Sequence, residues 1–258
     1  MDEVLSVCDL DVGYRKGNPV LKRLDFSIRK GEIAVLLGGS GCGKSTVLRT
    51  LTGLLAPLGG SVSLFGRVFS TAEDPAEERG DKTLLKRIGL LFQGGALFGS
   101  MTLLENVLYP MQELTSVPAA IRERIARLRL GQVGLAAYAD YMPREISGGM
   151  RKRAGIARAL ALDPEILFLD EPSAGLDPVT SAELDELILQ IRAEQGMTFV
   201  IVSHELASID AIADRALFLD RETQSLLEEG PPAVLRKESP HAAVRRFFSR
   251  RTHLTENR

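Results

Sequence analysis

IAVLLGGSGCGKSTVLRTLTGLL (33–55) passes from five apolar residues through a glycine-rich turn into a helical pattern. A buried strand that feeds GxxxxGK[ST] and then a helix is the context in which such a loop holds phosphate. Gly38, Gly41 and Gly43 let the backbone curl so that its N–H groups face an anion, and the helix start adds its dipole. The run Gly38, Gly39, Ser40, Gly41, Cys42, Gly43, Lys44, Ser45 and Thr46 is therefore expected to cradle phosphates. Lys44 suits the β- and γ-phosphates of a nucleotide, and the Ser45 hydroxyl suits Mg²⁺. The alternative is a glycine-rich turn with an incidental lysine. Strand, loop and helix in that order tell against it.

Bulk properties set the limits around this motif. A chain of 258 residues suits one large domain or two small ones and buries a substantial core. The net charge of -2 implies no general attraction to nucleic acid or anionic lipid. Of the two cysteines, Cys8 and Cys42, the second lies inside the phosphate loop, which fits a reducing cytoplasm better than a disulfide. The start, MDEVLSVCDL, has two early acids and does not read as a secretory leader. No apolar run approaches the roughly 18 to 20 residues that span a bilayer, so a membrane role needs a partner.

Outward from the loop, apolar runs of strand length recur at IGLLF (88–92), EILFLD (165–170), TFVIVS (198–203) and ALFLD (216–220). Runs that are apolar on both faces suit a parallel sheet covered by helices. In 178–195, Leu184, Leu187, Ile188 and Ile191 recur at helical spacing, with Asp177 to cap, Pro178 in the first turn and Gly196 to stop. The alternation indicates an α/β fold. SVCDLDVGY (6–14) and LKRLDFSIRKGE (21–32) instead alternate like half-exposed antiparallel strands, and STAEDPAEERGD (70–81) reads as a surface loop. From about 100 to 160 only helices are expected, including 118–130, with Ile121, Ile125 and Leu128 on one apolar face and Arg122, Arg124, Arg127 and Arg129 elsewhere. The expected division is a nucleotide-binding core at 1–92 and 161–230, an inserted helical subdomain at 93–160, and a helical, basic tail at 231–258.

Two sets of residues add chemistry. Asp170 falls at the carboxyl end of a strand, where open α/β sheets bind ligands, and is a candidate Mg²⁺ partner beside Ser45. Glu171 is the candidate to orient or deprotonate a water attacking the γ-phosphate. His204 ends another strand and is a candidate to hold that water; a capping or surface histidine is the alternative. The second set is EISGGM (145–150). Ser147 suits an N-cap, and Gly148 and Gly149 leave a bare, positive helix start that suits a phosphate. The other reading of this pair is close packing between two helices. Met150, Ala154, Ala157 and Ala161 form a small apolar face, with Arg151, Lys152, Arg153 and Arg158 mostly off it.

Taken in order, GGSGCGKST, Gln93 in LLFQGG, ISGGM, ILFLDEP, SAGLD (173–177) and His204 resemble an ABC-type ATPase, the nucleotide-binding subunit of ABC transporters. The resemblance implies a P-loop NTPase (RecA-like) core with an N-terminal antiparallel β subdomain and an inserted helical subdomain. It further implies a homodimer closing on two ATP molecules, each gripped by one phosphate loop and the other copy's Ser147, Gly148 and Gly149. By the same resemblance Tyr14 stacks on adenine, Gln93 touches Mg²⁺ and the water, and Asp177 lies in the loop crossing between copies. The alternative for Tyr14 is a half-buried strand aromatic. Met150 stands where the family commonly has glutamine, and Glu205 where aspartate is more frequent.

GGALF and ENV within 92–110, with ISGGM and RRFF (245–248), are similar to the ATPase subunit of Mla-type, MCE-associated lipid transporters. This narrower resemblance implies permease subunits, an MCE-domain substrate-binding protein and a small accessory subunit as partners, at the cytoplasmic face of the cell membrane. Amino-acid importers share much of the LF…ENV wording and are the rival. A soluble ABC ATPase lacks support, because neither long coiled-coil insertions nor a second nucleotide unit is present. The tail at 236–258 has seven basic and two acidic residues and reads as solvated, with Phe247 and Phe248 expected to anchor on a neighbouring subunit.

Overall fold

The structure is a computed structural model that describes residues 3–74 and 82–249. Two compact units emerge, one from 1–80 with 200–258 and the other from 81–199.

In the first unit β1 (Glu3–Val12) pairs antiparallel with β2 (Leu21–Arg29), as the alternation predicts. β3 (Ile33–Leu37) is buried at every position and runs into α1 (Lys44–Leu51). β4 (Gly59–Leu64) and β5 (Arg67–Thr71) complete an antiparallel sheet of order β2-β1-β4-β5. α1 is shorter than the sequence pattern suggested: Gly53 turns left-handed at φ 73° and the Thr52 hydroxyl bonds back to the Leu48 carbonyl. Ser70 and Thr71, expected in a loop, belong to β5, and Ser70 is fully buried. Residues 75–81 of that expected loop lie outside the described residues.

The second unit holds α2 (Lys82–Leu85), β6 (Ile88–Leu91), α3 (Leu103–Leu114), α4 (Ala119–Gln132), α5 (Gly148–Ala159), β7 (Ile166–Asp170) and α6 (Pro178–Gln195). β6 and β7 are parallel, and α3 packs on α4 and α5. A capping box starts α3: Thr102 accepts from the Glu105 N–H, and the Glu105 carboxylate accepts from the Thr102 N–H at 2.7 Å. α6 begins and ends where its residues predict, with Asp177 accepting from the Val179 and Thr180 N–H groups and Gly196 left-handed at φ 63°.

α4 corrects the sequence reading of its faces. Ile121 and Leu128 are 48% and 60% exposed, while Ala126, Arg129 and Leu130 are buried. Arg129 turns inward because Asp163 and Gln132 receive its guanidinium at 2.9 and 3.0 Å.

β8 (Thr198–Val202) carries the chain back into the first unit, followed by α7 (Leu206–Ile212), β9 (Arg215–Asp220), β10 (Ser225–Gly230), α8 (Pro232–Glu238) and α9 (Ala242–Ser249). β9 lies parallel to β3, and β10 antiparallel to β9. Phe247 and Phe248, expected to anchor on a neighbour, are buried within their own chain. The Phe247 ring meets Phe218 of β9 edge-on at 5.5 Å, and Arg236 lies 5.3 Å above the Phe248 ring. Their apolar area finds a partner in α8 and β9, so this part of the tail is a packed helix pair rather than a solvated segment.

Candidate functional site

The phosphate loop lies in the first unit. Lys44 folds back so that its ammonium donates to the Gly38 and Gly39 carbonyls at 3.0 and 3.1 Å, with the Cys42 sulfur 3.9 Å away. Gly38 sits at φ 145°, and a Cβ there would come within 2.3 Å of the Leu219 carbonyl oxygen. Only glycine fits both the dihedral and the space. Gly43, at φ 108°, is the N-cap of α1 and has no side chain to close its first turn. Curled loop, bare helix start and lysine together form a cradle for an anion.

Tyr14 lies just past the end of β1 and is 61% exposed, so the half-buried strand reading does not hold. Its hydroxyl accepts from Arg49 of α1 at 2.8 Å. His204 is exposed in the segment after β8.

The remaining candidates are in the second unit. Asp170 ends β7 and is buried, and Glu171 follows in the left-handed region at φ 52°. Such a backbone is costly for a residue with a Cβ and tends to mark functional positions. Gln93 is exposed after β6, ahead of Gly94 and Gly95, which are both left-handed. Arg158 pins this loop by donating to the Gly95 and Ala96 carbonyls at 3.1 and 2.7 Å, and its burial lowers its pKa from the ordinary arginine value.

Ser147 caps α5 as expected, accepting from the Met150 N–H at 3.2 Å. The two glycines divide the readings between them. A Cβ on Gly149 would lie 2.4 Å from the Thr180 methyl, so this glycine serves close packing of α5 on the α6 start. Gly148 is half-exposed, and a Cβ there would make only ordinary van der Waals contact, at 3.8 Å from the Arg151 guanidinium and a Leu176 methyl, so no close packing requires this glycine. Asp177, across that packing, has its pKa lowered by the Thr180 hydroxyl first, then by backbone N–H groups of Thr180 and Val179.

Sequence reasoning missed three supporting residues. Lys152 is 5% exposed, and its ammonium donates to the Glu171 carbonyl at 3.0 Å. Its spacing from Gly149 and Ala159 on the buried face of α5 was the available signal. Arg158 carries no comparable signal. Asn106, fully buried, donates to the Phe98, Met101 and Thr102 carbonyls and accepts from the Phe98 N–H at 2.7 Å, fixing the segment before α3.

A strand-loop-helix phosphate cradle in the first unit and, in the second, a parallel strand that ends at Asp170 with Glu171 next are the features of a P-loop nucleoside triphosphatase. The ABC transporter family model matches residues 21–174. The chain belongs to the ABC transporter family, as one of its ATPase cassettes. It is 37% identical over 95% of its length to the intermembrane phospholipid transport system ATP-binding protein MlaF of Escherichia coli K12, covering 89% of that protein. It is 40% identical over 92% of its length to the methionine import ATP-binding protein MetN of Xanthomonas axonopodis pv. citri, covering 68% of it. Among solved structures, cbiO1 of Clostridium perfringens, part of the ABC transporter complex cbiONQ, is 27% identical with a TM-score of 0.81, covering 98% of this chain and 97% of that one. The ATP-binding cassette MJ0796, a dimer in a post-hydrolysis state bound to ADP and Pi, is 27% identical with a TM-score of 0.74, covering 88% of this chain and 98% of that one.

Proposed function

We propose that this chain is the ATP-hydrolysing subunit of a lipid transporter, with phospholipid the favoured cargo. It works as a homodimer at the cytoplasmic face of the cell membrane, beneath separate permease subunits. Among the described residues no helix is long and apolar enough to cross a membrane, which fits a subunit that relies on a permease. The observation that carries the lipid assignment is the match to MlaF over nearly the full length of both proteins. MetN matches at similar identity but extends well beyond this chain, and amino-acid import is the second reading.

In this reading the phosphate loop, Gly38 to Thr46, holds the triphosphate of ATP, and Tyr14 stacks on adenine. Lys44 exchanges its bonds to the Gly38 and Gly39 carbonyls for phosphate oxygens, an exchange that keeps the buried part of its charge partnered. Ser45, Gln93 and Asp170 supply hydroxyl, amide and carboxylate oxygens, a donor set suited to Mg²⁺. The ion would neutralise phosphate charge. Glu171 orients and deprotonates the attacking water, and Gln93 and His204 hold it. Ser147, Gly148 and Gly149 of the second copy close over the γ-phosphate, and Asp177 lines the crossing between copies. An MCE-domain substrate-binding protein and a small accessory subunit complete the assembly.

The test is reconstitution with the permease subunits in vesicles, following ATP-dependent transfer of labelled phospholipid. Transfer that vanishes with Glu171→Gln, while ATP stays bound and turnover falls on the order of 10²- to 10⁴-fold, is the expected result. ATP-driven movement of methionine and none of phospholipid establishes the second reading. Undiminished turnover in the variant removes Glu171 as the catalytic carboxylate.

A further inference from the structure

We propose that Lys152 is a positioning residue for hydrolysis: its buried ammonium group grips the Glu171 carbonyl and so fixes the direction of the Glu171 carboxylate. The inference rests on the ATPase reading above and adds a residue to it. Lys152 projects from the first half of α5, is 5% exposed, and reaches the Glu171 carbonyl oxygen at 3.0 Å. The Ala174 N–H donates to the same oxygen at 3.2 Å, so the carbonyl is held by its own turn and by a second element.

Holding it matters because of what Glu171 does with its backbone. At φ 52° it occupies a region that L-residues with a side chain avoid, and Pro172 behind it restricts it further. A strained dihedral persists only where its surroundings over-determine it. Rotation about φ and ψ at this residue swings the side chain, so a relaxed carbonyl is also a misaimed carboxylate.

A buried ammonium is an expensive way to satisfy one carbonyl. Desolvation lowers the Lys152 pKa from the ordinary lysine value, while the charges of Glu171 and then Asp170 oppose that shift. The cation therefore sits in the field of both acids as well as on the main-chain carbonyl just after the Glu171 side chain. The same helix is capped by Ser147 and begins at Gly148, so one element connects the glycine start to the backbone of the catalytic acid.

Steady-state and single-turnover ATP hydrolysis by the full chain test this. Lys152→Met, which keeps the length and loses the donor, should lower kcat on the order of 10- to 100-fold, as misplacement of a reacting group does. KM for ATP should stay within about twofold, and Lys152→Arg should recover most of the rate. Lys152→Met should add no further loss to Glu171→Gln, because it acts through that side chain. Should the methionine variant fail to fold, Lys152→Leu replaces it with the same expectations. An unchanged kcat, a loss that multiplies with that of Glu171→Gln, or kcat and KM deteriorating together with thermal stability would overturn the proposal. A wild-type chain without turnover would instead overturn the ATPase reading.

Discussion

At Asp177 one carboxylate closes the start of α6, accepting from the Val179 and Thr180 N–H groups at 3.1 Å and from the Thr180 hydroxyl at 2.6 Å. These bonds form to the ionised group, which is why its pKa lies below the ordinary aspartate value. The linkage follows from that direction. With the folded-state pKa depressed, the stabilisation is present above the unfolded pKa of about 3.9 and is lost as pH falls through the lower folded value. Asp177→Ala should therefore lower the Tm of the nucleotide-free protein at neutral pH, and the gap to wild type should narrow on acidification below about pH 4. Asp177→Asn, still a good N-cap, should keep most of the neutral-pH stability. Calorimetry across that range checks it; a gap independent of pH would show that the charge is not what the cap uses.

Among the elements, α5 brings several site residues into one frame. Gly149 meets Thr180 beside Asp177, Lys152 holds Glu171, and Arg158 pins the loop after Gln93. Gly149→Ala tests the first contact. Alanine in a helix gains about 0.8–1.0 kcal/mol of propensity over glycine, but overpacking typically costs about 1–3 kcal/mol. A 2.4 Å approach to the Thr180 methyl puts this site toward the upper end, so net destabilisation is expected. Thr180→Ser removes that methyl while keeping the hydroxyl bonded to Asp177, and the double variant should regain most of the stability in denaturant melts. If Thr180→Ser rescues nothing, the close approach is not the cause. Such detail separates what was readable in the sequence from what was not. α6 was readable end to end because cap, first-turn proline and stop glycine are local chemistry. The phosphate loop was readable because its glycines and lysine follow a strand. α4 was not, because a helix wheel ranks arginine as outward and cannot see Asp163 waiting for Arg129. For Lys152 spacing could mark the buried face of α5 but not the contact, because its partner is a main-chain carbonyl nineteen positions away. Phe247 and Phe248 were legible as apolar but not as intrachain, since Phe218 is remote in sequence.

For the whole molecule, the start of α5 at Gly148 bears on the number of chains a reaction needs. Ser147 uses its side chain on Met150, leaving the earlier N–H groups of α5 without a side-chain cap from it, and Gly148 puts no Cβ in front of them. A helix start of this kind favours an anion. Each chain has one phosphate loop and therefore one ATP, and the MJ0796 cassette is dimeric with ADP and Pi bound. If the start of α5 serves the other copy's ATP, the two sites form together and neither works in a lone chain. Activity is then set by association. Well above the dimer dissociation constant, the rate per chain is constant; well below it, about tenfold dilution should lower the rate per chain about tenfold. Glu171→Gln with ATP should sediment as a dimer at concentrations where the nucleotide-free chain is monomeric, because bound ATP is then not consumed. Hydrolysis measured over several decades of concentration, alongside sedimentation of the same samples, decides the matter. A rate per chain that stays flat into the range where only monomer sediments means that one copy carries a complete site, and the role assigned to Ser147, Gly148 and Gly149 in the second copy would have to be withdrawn.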